Sequence, residues 1–317
     1  MQATDISLAM DTAGSKARYD SAAKRLLSYK AVIAWVLKYA AREFRDLDVA
    51  FIAKNCISGV SVSEKAVHMD HPDRLPEDAA EMMNSESSSI TEGKILYDLR
   101  LMARVPETSK DVFLMVNMEM QNNGTLYALV TRGIYYCARM ISEQYGTVFT
   151  DMDYQKIQKV YSIWICPNPA EKRENSIVRY TLREEEVLGK GFMDRKDYDK
   201  LEVVVINLGK DAGDSENPAV GLLSTLFSSD MSLEERKEIL ERRYGIPMTK
   251  EFESEVTQMC NLSEGIEERG RRKGIAEGSI MTLFDLVNDG LLSLETASAK
   301  ANMTTEEFLE KKKKLGK

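Results

Sequence analysis

The chain is poor in the residues that usually build a transition-metal centre or a cross-linked scaffold. It has two histidines and four cysteines in 317 residues. Cys56, Cys137, Cys166 and Cys260 are scattered, with no Cys-x-x-Cys pair. That excludes a disulfide framework and points to reduced thiols in a cytoplasmic setting. His68 and His71 lie in a polar stretch with no further ligand spaced to complete a zinc site, so they read as loop residues. Long apolar runs are missing too. Ala31–Ala41 is interrupted by Lys38 and is too short to span a bilayer, so no membrane partner is expected. Met1–Met10 shows neither the basic nor the apolar region of a signal peptide. Positive charge is in deficit, and the net charge is −8. This argues against a generally basic surface for nucleic acid but leaves room for a local basic groove. What is abundant is ordinary: 43% hydrophobic and 30% charged residues suit one sizeable core with an appendage. The 17 methionines read as adaptable core filler.

Residues 1–20 are polar and read as loose. From Ala22 to Arg45, Leu26, Tyr29, Ile33, Val36, Leu37, Ala40 and Phe44 fit one amphipathic helix. A short helical piece follows near Val49–Cys56, and residues 58–92 look like a polar surface excursion. Leu126–Tyr145 reads as a helix with an apolar stripe of Leu126, Val130, Ile134, Cys137 and Ile141. Val160–Cys166 is a near-continuous apolar strand, and Ile177–Leu182 and Leu201–Leu208 read as further strands. A strand, helix, strand run of this length makes a crossover and hence a parallel pair. The core is bounded at 21–210, with a helical extension at 211–263 that contains the capping box Ser232–Glu235 and a stop near Gly245. Residues 264–317 form a glycine-spaced connector, with glycines at 265, 270, 274 and 278, and a small module of three short helices. That module resembles a helix-turn-helix in length. Its third helix opens acidic at Thr305-Glu-Glu, so an interaction role is favoured over DNA reading.

The most informative stretch is a pair of strand-like segments, Lys94–Arg100 and Leu114–Gln121. Their linker, Val105–Asp111, is short, polar and contains Pro106, as a hairpin loop requires. Strand side chains alternate, so Glu119 and Gln121 share a face. An antiparallel register that opposes Asp98 to Glu119 also opposes Arg100 to Asn117 and Arg104 to Phe113. A slip of one residue would bury the wrong set. In that register two carboxylates and an amide converge beside an apolar sheet, the makings of a two-carboxylate metal site.

Ile95-Leu96-Tyr97-Asp98, Val116–Gln121, the helix segment Arg132–Arg139 and the strand Tyr161–Cys166 together resemble the PD-(D/E)XK nuclease family transposases, relatives of the recombination-promoting nucleases. The resemblance spans roughly Leu26–Leu208, and the glycine-spaced tail is typical of the group. It implies an α/β, restriction-endonuclease-like αββαβ core, a mixed sheet flanked by helices, with an α-helical C-terminal tail. It implies that Asp98 and Glu119 are the metal ligands and that Gln121 stands where many such enzymes carry lysine. The expected cofactor is Mg²⁺ or Mn²⁺, held by two carboxylates, waters and a substrate phosphate. Gln121 can position water through its amide but brings no charge.

Arg132, Tyr136, Arg139 and Glu143 recur at helical spacing. Arg132 and Tyr136 are expected to support the carboxylates or hold a phosphate. Arg139 is balanced between that role and a solvated pair with Glu143. A third acid would come from Glu43 or Glu92, each a weak candidate. Against the metal site stands the plainer alternative that Asp98 and Glu119 are neutralised by Arg100, Arg104 or Arg132. Two close carboxylates would also repel without metal, so Asp98→Asn is expected to stabilise the chain slightly in EDTA. The expected function is Mg²⁺-dependent hydrolysis of DNA phosphodiesters in a bacterial mobile-element or recombination setting, with room for a homodimer. The alternative is a catalytically weak or inactive relative that binds DNA or a protein partner.

Overall fold

The computed structural model describes residues 5–62, 86–89, 93–96, 98–106, 112–120, 126–209, 215–228, 231–301 and 303–314. It divides into two units, Met1–Asn261 and Leu262–Lys317. The first is a mixed α/β unit. Its strands are β1 (Ile57–Val62), β2 (Glu86–Ser89), β3 (Gly93–Leu96), β4 (Leu99–Val105), β5 (Val112–Met120), β6 (Lys159–Cys166), β7 (Ser176–Thr181) and β8 (Leu201–Asn207). Its helices begin with α1 (Asp5–Ser28), α2 (Lys30–Ala40), α3 (Val49–Phe51), α4 (Leu126–Ser142) and α5 (Arg195–Tyr198). Next come α6 (Pro218–Phe227) and α7 (Leu233–Arg242); α8 runs Lys250–Asn288 across the division, and the second unit adds α9 (Leu294–Lys300) and α10 (Thr305–Lys314).

Six strands form one sheet in the order β1-β4-β5-β6-β8-β7, and β2 pairs with β3 in a separate ribbon. The β4–β5 pair is antiparallel, with Arg100 opposite Asn117 and Arg104 opposite Phe113, the register that the alternation of apolar residues demanded. β5 and β6 run parallel across the α4 crossover, as do β6 and β8. α4 covers one face, packing on Val160, Trp164, Cys166, Val203 and Val205. α1 packs against β1, β4 and β5, and α2 packs on α1 and α6. Every residue of β6 is buried, which is why that strand shows no polar alternation in the sequence.

Several sequence expectations shift. The expected helix of 22–45 is two helices, α1 and α2, broken where Tyr29 turns extended (φ −67°, ψ 127°) with no proline or glycine to mark the place. The first of them opens at Asp5, within the stretch read as loose. The surface excursion of 58–92 contributes β1 to the main sheet and β2 to the ribbon. Lys94–Arg100 is not one strand. β3 ends at Leu96 and β4 begins at Leu99, so Asp98 sits on a bend rather than inside a strand.

The stripe of α4 is also rotated. Ile134 is exposed, while Leu129, Gly133, Cys137 and Met140 are buried. The helix makes its closest approach at Gly133, where a Cβ would stand 2.6 Å from Val203 Cγ1 and 2.9 Å from Trp164 Nε1. A search for large apolar side chains cannot find a face defined by a missing one. The Ser232–Glu235 capping box is present, and Gly245 (φ +62°) follows α7. In the second unit, Ile280, Phe284, Ala297 and Phe308 form a small core. The hydroxyl of Thr304 accepts from Glu307 N–H and the Glu307 carboxylate accepts from Thr304 N–H, a second capping box.

Candidate metal and phosphate site

The site begins with the β4–β5 register. That ladder ends at the pair of Leu99 with Met118. Asp98 lies just before that pair, on the bend that precedes β4. Position 119 pairs with Trp164 across the parallel β5–β6 junction. Residues directly opposite in a sheet share a face, so position 119 lies on the face that carries Trp164 and α4. The side chain of Glu119, and Gln121 and Glu92 altogether, lie outside the described residues, as do His68 and His71.

Asp98 has left the ladder and uses its carboxylate. Oδ2 accepts the backbone N–H of Met120 at 3.3 Å, standing in for a strand neighbour at the end of β5. Oδ1 meets Lys24 Nζ of α1 at 2.7 Å. The side chain of Asp98 stays 24% exposed and that of Lys24 only 11%. The cation on Asp98 Oδ1 is thus Lys24, which is not among Arg100, Arg104 and Arg132. One trace was legible. Lys24 stands among Ala22, Ala23, Leu26 and Leu27, all buried, and a lysine on an apolar helix face needs a partner at its tip. Arg100, one of the expected neutralising residues, is buried and pairs with Glu143 at 2.7 Å. Arg139 is 5% exposed, so of its two balanced readings the solvated one does not hold.

Arg132 and Tyr136 come together as their helical spacing suggested. Arg132 donates from its guanidinium to Tyr136 Oη at 3.2 Å. Its Cζ lies 4.8 Å above the Trp164 ring and 5.7 Å from the Tyr136 ring, a cation–π stack. Trp164 is held beneath them by an Nε1–H bond to Ser162 Oγ at 3.0 Å. In the sequence Trp164 is one residue of an apolar strand; only the packing of α4 on β6 makes it the platform under Arg132. Arg132 itself is exposed, so a guanidinium stands at the surface one strand from position 119.

Glu43 is not part of this constellation. It accepts from Lys159 Nζ at 3.0 Å and from Tyr161 Oη at 2.6 Å, at the start of β6. β5 advances six residues from Leu114, the partner of Lys159, to Met120, or about 20 Å. The same lysine meets Glu202 at 2.8 Å and Asp199 at 3.1 Å, and Arg179 meets Glu202 at 3.0 Å. Burial pushes the Glu202 carboxyl up against the pull of Lys159 and Arg179. Burial pulls the Lys159 ammonium down, but Glu43 and Glu202 outweigh it and its pKa is raised.

The Asp98 carboxylate is a hard oxygen donor of the kind that Mg²⁺ or Mn²⁺ takes, and it remains partly open to solvent. The position already holds one cation, the Lys24 ammonium. Among the described residues no group of three His, Cys, Asp or Glu side chains is gathered to hold an ion. No helix among them is long and apolar enough to cross a membrane. A family model described as PD-(D/E)XK nuclease family transposase matches residues 81–263, more than half of the chain. Comparison with curated proteins and with solved structures gives no match.

Proposed function

Because the chain belongs to the PD-(D/E)XK nuclease family transposases, we propose that it is a metal-dependent DNA endonuclease working at the Asp98 end of the sheet. The observation that supports this reading is the end of the β4–β5 pair, where the partly exposed Asp98 carboxylate accepts the Met120 N–H and meets the Lys24 ammonium. Asp98 and Glu119 would hold Mg²⁺ or Mn²⁺, which would supply Lewis acidity to a phosphoryl oxygen and lower the pKa of a bound water. The chain's own residues do the rest. The Met120 N–H fixes the Asp98 carboxylate, so its oxygens need not be reoriented for each turnover. Gln121 orients water through its amide. Arg132, braced on Trp164 and Tyr136, offers a planar fork for a DNA phosphate near the scissile one.

Nicking of supercoiled plasmid together with Mn²⁺ calorimetry tests the reading. Asp98→Asn and Glu119→Gln should each abolish Mn²⁺ binding and slow nicking by at least about 10²-fold. Unchanged Mn²⁺ affinity in Asp98→Asn would sink the assignment. A second reading, a non-catalytic relative that binds DNA or protein through the same surface, is favoured by Gln121 and the net charge of −8. DNA binding without nicking by the parent at saturating Mn²⁺ would select it.

A further inference from the structure

We propose that Lys24 supplies the positive charge that position 121 does not, and that α1 therefore belongs to the phosphodiester site. The inference rests on the nuclease reading above and adds a catalytic residue to it. Three observations converge. The Lys24 ammonium lies 2.7 Å from Asp98 Oδ1, and its side chain is almost wholly covered. The carboxylate it touches is also bonded to the N–H of Met120, the residue immediately before Gln121. The ammonium is thus one carboxylate away from the strand end that leads into position 121. Finally, α1 is packed against β1, β4 and β5, so the lysine is presented by a helix docked on these strands rather than by a loose surface arm.

The chemistry calls for such a group. Phosphodiester hydrolysis gathers negative charge on the phosphoryl oxygens and the leaving oxygen, and a preorganised cation stabilises it. A glutamine at position 121 contributes dipoles only. A lysine side chain only 11% exposed is costly unless its charge is answered, and Asp98 answers it in the resting protein. Three ammonium donors and a four-carbon stem let Lys24 keep one bond to Asp98 and extend another to a non-bridging phosphate oxygen. Lys24 forms and breaks no covalent bond in this role.

The test uses the full chain. Lys24→Met removes the charge and keeps the apolar stem; Lys24→Gln, which keeps a donor, replaces it should the methionine variant fail to fold. Nicking rate at saturating Mn²⁺, Mn²⁺ affinity by calorimetry and the urea midpoint are read together. The variant should bind Mn²⁺ as tightly as the parent or more tightly, because a competing cation is gone. Its kcat should nonetheless fall on the order of 10²-fold with KM little changed. Adding Gln121→Lys to the Lys24 variant should recover at least about tenfold of the rate. A Lys24 variant that nicks like the parent would overturn the proposal and leave the nuclease reading standing. So would a rate that falls only in step with Mn²⁺ affinity, which would make Lys24 a prop for Asp98, or a double variant that recovers nothing. A parent that neither binds Mn²⁺ nor nicks would overturn both.

Discussion

Each end of the central sheet carries a carboxylate gripped by a lysine, and the two ends behave as opposites. At one end Glu202 is completely buried, with Lys159 at 2.8 Å, Arg179 at 3.0 Å and Arg42 at 3.7 Å. Lys159 is itself shared with Glu43 and Asp199. At the other end Asp98 keeps 24% of its side chain exposed and takes its lysine from α1. Burial decides the difference. A fully desolvated carboxylate is tolerable only inside a complete set of partners, so that network is locked and loses heavily if one member goes. A carboxylate at the rim keeps solvent access, and under the nuclease reading proposed above its lysine would give way to a metal ion or share the oxygen with one. Glu202, completely buried among three cations, is thus bound far more tightly into its surroundings than the partly exposed Asp98.

The largest effect expected from that contrast is on stability. Lys159→Met should cost roughly 3 kcal/mol or more, because Glu202 would keep its burial and lose its nearest cation. Asp98→Asn should cost only about 1 kcal/mol, since the pair it breaks is partly solvated. Its sign is the reverse of the stabilisation expected from carboxylate repulsion alone, because Lys24 attracts where Glu119 would repel. Urea unfolding in EDTA compares the two variants directly. Equal losses would erase the distinction between the ends.

Gly133→Ala sharpens the comparison from the α4 side. The added methyl would meet Val203 Cγ1 at 2.6 Å, so the helix must shift or the valine must turn, at a cost of about 1–3 kcal/mol. Arg132 precedes this residue, so the shift should also disturb its stack on Trp164. Trp164 fluorescence would report that movement. An unchanged spectrum with wild-type stability would show that α4 is not held where Gly133 touches the sheet.

The smallest effect is a slope against pH. Burial, then the Glu43 charge, raises the Tyr161 hydroxyl above its ordinary 10.0, and Lys159 lies above its ordinary 10.5. Above those ordinary values the unfolded chain loses the protons while the folded chain keeps them. Their stabilisation is thus fully present below about pH 10 and is lost as pH climbs toward the raised folded values. Tyr161→Phe should be less stable than the parent at pH 8, lacking the bond to Glu43, yet lose less between about pH 10 and 11. Parallel curves for the two proteins would show that this hydroxyl does not stay protonated in the folded state.

Much of the fold was legible because it follows from period. The alternation in β4 and β5 allowed one register that buries Leu99, Leu101 and Ala103, and the pairing of Arg100 with Asn117 and Arg104 with Phe113 follows from it. The parallel β5–β6 pair follows from the crossover helix, and the caps at Ser232 and Thr304 from local hydrogen bonding. Those are short-range constraints, and a chain carries them wherever it goes. Long-range partnership is different. Nothing near residue 24 in the chain announces Asp98, and nothing near Glu43 announces Lys159 and Tyr161. The bend that frees Asp98 from the strand, the seating of α4 on Gly133 and the division of acids between the two ends of the sheet were settled only by packing. A buried charge takes its meaning from what surrounds it in space, and sequence spacing does not record that.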